Sequence, residues 1–360
     1  MRKIDLSRVY SGLLRAHSAV PRRFSGSGKA FPLLNVFLEL THRCNLRCAM
    51  CFQPKKADSA GELGTAEIKR MIDGLPAWAI VTLTGGEPFM RKDFREILAY
   101  TIKKRRCNIL TNAELITDQD IDSFVDNKLA LIGISLDGLR EAHDAIRNRR
   151  GLFDKAADVI KKISKKKKEK GALFPLVDIK TVILKRNLGD LHAIGVLANE
   201  LGADFFTLSL PKLSNRQFNE PCYEDLDRDI FSHGPLAPEK LEAHELETLQ
   251  KQLGLVASLP GPVRTRFYPG NMSGREAIEK YYGEKLAPGD FKPCAIPWSF
   301  TCVSPYGDVF PCLSYKAGNV REAALKGIWN GPRFSAFRNR LNKKILDQCC
   351  LGCCYSVYKT

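Results

Sequence analysis

From residue 34 onward, short apolar runs alternate with amphipathic stretches. The runs at 34–40, 80–84, 107–111, 131–136, 177–184 and 205–210 are rich in β-branched residues. That is the composition of strands buried in a parallel sheet. Between them, Phe94, Ile97, Leu98 and Ile102 fall on one helical face. Thr117 with Asp120 reads as a helix N-terminus ahead of Ile121, Phe124 and Val125. Leu188, Leu191, Ile194, Leu197 and Leu201 mark a further helix that Gly202 closes.

Six βα repeats predict an α/β fold with an open or partial barrel, whose chemistry gathers at the C-terminal ends of the strands. Residues 211–290 are less regular and read as a connector lining the substrate cavity, with one clear helix from 238 to 253 capped by Gly254. Tyr306-Gly307-Asp308 predicts a hairpin turn between strands at 301–304 and 309–311. The chain thus divides into a basic segment (1–33), a barrel core (34–210), the connector (211–290) and a small cysteine-rich module (291–360).

The 360 residues are 44% hydrophobic and 27% charged, an ordinary globular balance. No long apolar window predicts a membrane span, and no signal peptide is read at the N-terminus, so the expected location is the cytoplasm. The net charge of +16 admits nucleic acid, anionic lipid or acidic substrates as partners. Part of the excess is one run, KKISKKKKEK at 161–170, which reads as a solvated helix end. Near the N-terminus, Leu6, Val9, Tyr10, Leu13 and Leu14 fall at helical spacing among basic residues. Such a helix suits either a membrane surface or docking on the barrel.

Of the twelve cysteines, three lie within 44–51 and seven within 294–354. In a long chain of this kind, clustering favours metal ligation over disulfides, and leaves Cys107 and Cys222 as structural residues. Cys44, Cys48 and Cys51 form C-x3-C-x2-C on a loop after the first strand. Three thiolates can hold three irons of a cubane and leave the fourth iron open. The same cysteines with His42 could instead hold zinc.

The motif, followed by Phe52, resembles the signature of the radical S-adenosylmethionine (SAM) superfamily. Thr84-Gly85-Gly86-Glu87-Pro88, Ile109-Leu110-Thr111-Asn112, Ser135-Leu136-Asp137-Gly138 and then His143, Asp144 and Arg147 resemble that family's later motifs in order. The resemblance implies a partial (β/α)6 barrel, a [4Fe–4S] cluster on Cys44, Cys48 and Cys51, and SAM bound by Gly85, Gly86, Glu87, Pro88, Asn112, Ser135, Asp137 and Arg147. It implies reductive cleavage of SAM to a 5′-deoxyadenosyl radical that abstracts hydrogen from substrate. The glycines would let backbone approach the ligand, Glu87 would help hold the ammonium, and Arg147 would fork the carboxylate, with Arg149 and Arg150 as competitors.

The hairpin brings Cys294 and Cys312 towards each other, and Cys350-x2-Cys353 follows near the end. Gly307-x4-Cys312, Gly318-Asn319-Val320 and Ile328-Trp329 resemble the SPASM/twitch auxiliary-cluster module. The resemblance implies one auxiliary [4Fe–4S] cluster on Cys294, Cys312, Cys350 and Cys353. Cys302 is a spare, and the doublets 349–350 and 353–354 allow other pairings. Zinc is the other occupant that four thiolates suit.

The expected function is that of an oxidoreductase-type radical enzyme acting on a small molecule or peptide, with an electron donor such as flavodoxin or ferredoxin. RNA modification and lipid or isoprenoid modification are the alternatives. No RNA-binding appendage is recognised, so nucleic acid is not the expected partner. About 43 residues precede Cys44, too few for the leader-recognition domain of many peptide-maturing relatives. No residue stands out as a proton acceptor, although Asp225 and Asp227 are acids in the connector.

Overall fold

The computed structural model describes residues 16–23, 26–51, 59–211, 239–312, 315–343, 350–351 and 353–360. Positions 6–14, Phe52, Cys222, Asp225, Asp227 and Cys349 lie outside them. The barrel strands are β1 (Asn35–Glu39), β2 (Ile80–Thr84), β3 (Arg106–Thr111), β4 (Leu131–Ser135), β5 (Leu176–Val182) and β6 (Phe205–Ser209). Each matches a predicted run to within two residues. Two more parallel strands extend the sheet, β7 (Arg264–Tyr268) beside β6 and β8 (Phe300–Val303) beside β1. Antiparallel β9 (Asp308–Phe310) and β10 (Gly318–Asn319) complete it, so that the order is β10-β9-β8-β1-β2-β3-β4-β5-β6-β7.

Alternation within the strands separates two faces. Val36, Leu38, Val81, Leu83, Ile109, Ile132, Ile134, Val177, Ile179 and Phe206 are fully buried in the main core. Each such side chain stabilises the fold by roughly 1.5–3 kcal/mol on burial. Cys107 lies among them, its thiol pushed far up by burial, as befits a core residue. The opposite face carries Phe37, Thr82, Asn108, Gly133, Asp178 and Thr207, and forms the interior wall of the partial barrel.

Helices α1 (Thr65–Asp73), α2 (Phe94–Lys104), α3 (Asp118–Asp126), α4 (Arg140–Arg147), α5 (Leu152–Glu169) and α6 (Leu191–Glu200) follow the strands in turn. At the start of α3, the Asp120 backbone N–H donates to Thr117 Oγ1 and Thr117 N–H to the Asp120 carboxylate, the expected capping pair. The leucine-rich helix α6 begins only at Leu191, because Leu188 lies in a preceding 3₁₀ turn. Gly202 follows it at φ +76°.

The lysine run forms the end of α5. Lys162, Lys166 and Lys170 meet Asp118, Asp122 and Asp126 of α3, one rung per helical turn. Lys167 pairs with Asp204.

Residues 239–290 hold more structure than a connector. Besides β7 they form α7 (Ala243–Ala257) and α8 (Arg275–Tyr282). The predicted stop at Gly254 fails because Leu249, Leu253 and Val256 continue one buried stripe across it. That burial exceeds the cost of about 1 kcal/mol for an internal glycine.

The C-terminal module adds α9 (Leu325–Trp329) and α10 (Pro332–Asn342). The described part of the N-terminal segment, helical over 16–23, docks on this module. Ala30 and Asn330 exchange two hydrogen bonds, Trp329 Nε1 donates to the Phe31 carbonyl, and Arg22 donates to the Pro293 carbonyl. Arg338, fully buried, donates to the carbonyls of Gly28 and Pro297 and to Asn330 Oδ1, and lies over the rings of Trp329 and Phe334.

Candidate active site and auxiliary metal centre

The loop that leaves β1 carries Cys44 and Cys48, both half-buried, and Cys51, which is exposed. Its entry is fixed by the turn after β2. Gly86 N–H donates to the Thr41 carbonyl at 2.7 Å and Glu87 N–H to the Arg43 carbonyl at 2.8 Å. Gly85 has φ +140°, and a Cβ there would stand 2.2 Å from the Thr41 oxygen. A Cβ on Gly86 would stand 2.2 Å from the Arg43 oxygen. The glycines therefore let two protein loops touch, a role for which only hydrogen fits.

Glu87 is fully buried and faces β3. It accepts from Thr111 Oγ1 at 2.8 Å, from the Asn112 backbone N–H at 2.8 Å and from Phe89 N–H at 3.3 Å. Burial pushes its pKa up to about 7 against the pull of those donors. Its carboxylate thus clamps the ends of β2 and β3 together, where the sequence reading expected a partner for an ammonium group. Pro88 opens a 3₁₀ turn directly after it.

Asn112 Nδ2 donates to Asn45 Oδ1 at 3.0 Å and approaches Cys44 Sγ at 4.0 Å. Asn45 in turn donates to Glu114, which also receives Arg149. Arg149 is thereby held at the rim, whereas Arg147 reaches the cysteine loop. Arg147 donates to the buried Asp137 carboxylate at 2.5 Å and to Cys48 Sγ at 3.5 Å. Asp137 also accepts from the Val182 N–H of β5, and its own N–H donates to His143 Nδ1. Ser135 ends β4, half-buried, as the register partner of Lys180.

The thiols of this loop are electrostatically linked. Burial pushes Cys44 up to about 11, with Glu87, Cys48 and Cys51 adding to the rise and the Leu46 N–H opposing it. Cys48 is raised by burial and lowered by Arg147. Three neighbouring thiols, with an N–H and a guanidinium donating to sulfur, suit thiolates that ligate a cluster.

The second constellation surrounds a small apolar cavity. Cys294, Cys312, Cys350 and Cys353 all line it, and Cys302 of β8 does too, against Phe300, Phe310 and Tyr355. Burial pushes Cys294 up to about 12, with Cys350 contributing. Cys353 is raised by its hydrogen bond with the Cys354 thiol, by burial and by Cys312. The four expected ligands thus share one chamber, and this donor set suits an iron–sulfur cluster or tetrahedral zinc. Among the described residues, no trio of His, Cys, Asp or Glu closes on a single-ion geometry at either constellation.

Sequence reading missed Asn45, Glu114 and the interior-wall residues Asp178, Lys180 and Arg266. The last three were legible as charges at every second position, in VDIKTV and RTRFY.

A parallel partial barrel with three cysteines after β1, joined to a second cysteine chamber, defines a class of iron–sulfur protein. Residues 38–194 match the radical SAM superfamily, and residues 294–354 match an iron–sulfur cluster-binding domain known as SPASM. The AdoMet-dependent heme synthase of Methanosarcina barkeri is 30% identical over 303 residues, which cover 81% of this chain and 80% of that protein. The chain belongs to the radical SAM superfamily. The antilisterial bacteriocin subtilosin biosynthesis protein AlbA of Bacillus subtilis is 27% identical over 86% of the chain, which spans 62% of AlbA's length. Streptococcus suis SuiB bound to its precursor peptide SuiA shares the fold at a TM-score of 0.64 and 16% identity, covering 90% of this chain and 70% of that one. The radical SAM domain implies a [4Fe–4S] cluster and SAM, and the SPASM domain implies auxiliary iron–sulfur ligation.

Proposed function

We propose that this protein reductively cleaves SAM at a cluster held by Cys44, Cys48 and Cys51, and abstracts hydrogen from a small-molecule or peptide substrate. When bound, the cluster and SAM supply a one-electron cleavage that yields a 5′-deoxyadenosyl radical. The observation that carries the reading is the convergence of the β2 end, the β3 end and the end of α4 on the cysteine loop: Gly85 and Gly86 against its entry, Asn112 through Asn45 beside Cys44, and Arg147 on Cys48. Glu87 and Asp137 hold this frame from within the protein. Ser135, Asn112 and Arg147 are left to orient SAM. Cys294, Cys312, Cys350 and Cys353 would hold an auxiliary cluster, which would supply a one-electron acceptor beside the substrate.

The names of AlbA and the heme synthase point to a peptide pathway and to a small molecule, respectively. The pairing of the lysine run along α3 supports either over RNA. The net charge of +16 suits an acidic one-electron donor of the flavodoxin or ferredoxin kind.

The test is 5′-deoxyadenosine formation by anaerobically reconstituted, dithionite-reduced protein, beside a variant with Cys44, Cys48 and Cys51 changed to Ala. Wild type should form product and the variant none, while the variant keeps about half the iron. A cluster-loaded wild type whose EPR spectrum ignores SAM would overturn the reading.

A further inference from the structure

We infer that the interior wall beside Ser135 is a carboxylate-binding surface built on Lys180 and Arg266, so that the substrate of this site carries an acid group. The inference rests on the proposal that the strand ends around Ser135 hold SAM. Register places Ser135, Lys180, Thr207 and Arg266 in one row across β4, β5, β6 and β7. Residues paired in this way point to the same side of a parallel sheet, and strands lie about 4.8 Å apart. Lys180 is thus one strand from Ser135, and Arg266 three.

The row is charged in a particular way. Asp178, one step down on β5, is 1% exposed and accepts from Thr207 Oγ1 at 2.6 Å. Lys180 reaches its other oxygen at 2.8 Å, and Arg266 approaches that oxygen at 3.6 Å. Two cations therefore converge on one carboxylate and leave one formal positive charge over.

Both cations keep about a third of their side chain exposed, at 35% and 32%. An ammonium has three donors and a guanidinium five, so one contact with Asp178 leaves each with donors to spare. The geometry also holds them in place. Arg266 lies 3.3 Å over the Phe205 ring. Lys180 crosses Gly133, where a Cβ would stand 2.8 Å from its Cε. A single surplus charge on two pre-positioned donors suits a monoanionic carboxylate.

The test is mass-spectrometric mapping of Lys180 acetylation in the cluster-loaded holoenzyme with saturating SAM. Glutarate is compared with glutaramide at matched ionic strength. A blocked tripeptide with one Glu is compared with its Gln analogue, which separates a small diacid from an acidic peptide. The acid form of at least one pair should slow labelling at Lys180 roughly tenfold at saturation, with the amide inert. Arg266→Gln should abolish that protection and Arg266→Lys should retain part of it. Equal labelling with acids and amides overturns the inference, as does protection by SAM that neither acid deepens. Neither result bears on SAM cleavage, which the deoxyadenosine assay reads separately.

Discussion

Replacing Arg338 with Met tests how the N-terminal segment is held. Burial pulls the guanidinium pKa from 12.5 down to about 9, a burial cost of about 5 kcal/mol. Three hydrogen bonds to a charged donor, at about 1.5–3 kcal/mol each, offset that cost or exceed it. Methionine removes the burial cost and the bonds together. It also deprives the buried carbonyls of Gly28 and Pro297 of this donor, at about 1–3 kcal/mol apiece. Taken at their lower ends, these terms leave an expected net loss of about 1.5 kcal/mol or more, read from urea unfolding followed by circular dichroism. Trypsin should also cut faster after Arg22 and Arg23, because the 26–31 segment loses its anchor. Arg338→Lys should fall between, since one ammonium cannot span three acceptors set for a fork. An unchanged midpoint together with an unchanged cleavage rate in Arg338→Met would refute the reasoning.

Two further outcomes follow from the site. His143 is buried, accepts from Asp137 N–H through Nδ1, and is lowered by burial to about 4. Folding favours its neutral ring, so its contribution is full above pH 6.5 and falls as the pH drops towards 4, while buried Glu87, pushed up to about 7, moves stability the opposite way over that range; the stability difference between wild type and His143→Gln should therefore fall by about 2 kcal/mol from pH 7 to 5 in urea titrations. Gly86→Ala forces the turn after β2 off the Arg43 carbonyl. Its iron content after reconstitution should match that of the triple cysteine variant with secondary structure intact, and a full iron complement would contradict the packing role assigned to Gly86.

The barrel strands were legible because their outward residues are apolar without interruption, as in Ile80–Thr84 and Leu131–Ser135. Strand β7 was not, because Arg264, Arg266 and Tyr268 alternate with Thr265 and Phe267, and so many charges read as surface. The hairpin around Gly307 was visible in its turn chemistry. Its attachment beside β1 was not, since pairing across some 265 residues leaves no local mark. The cysteine spacings announced two constellations. The clamp that Glu87 makes between β2 and β3 was hidden, because sequence does not show which strand ends a carboxylate bridges.

The parallel pairing of β8 with β1 bears on how such proteins diversify. A module strung on a linker can be exchanged like a bead, and its distance from the neighbouring centre can drift. Here the spacing between the two cysteine centres is set by a hydrogen-bonded ladder, Asn35 to Leu38 against Phe300 to Val303. Transplanting the C-terminal part from a relative would therefore replace a staff of the barrel wall. A chimera must carry the β1–β8 seam intact, and variation that changes the substrate is free to fall on the far side of the sheet, at β5 to β7.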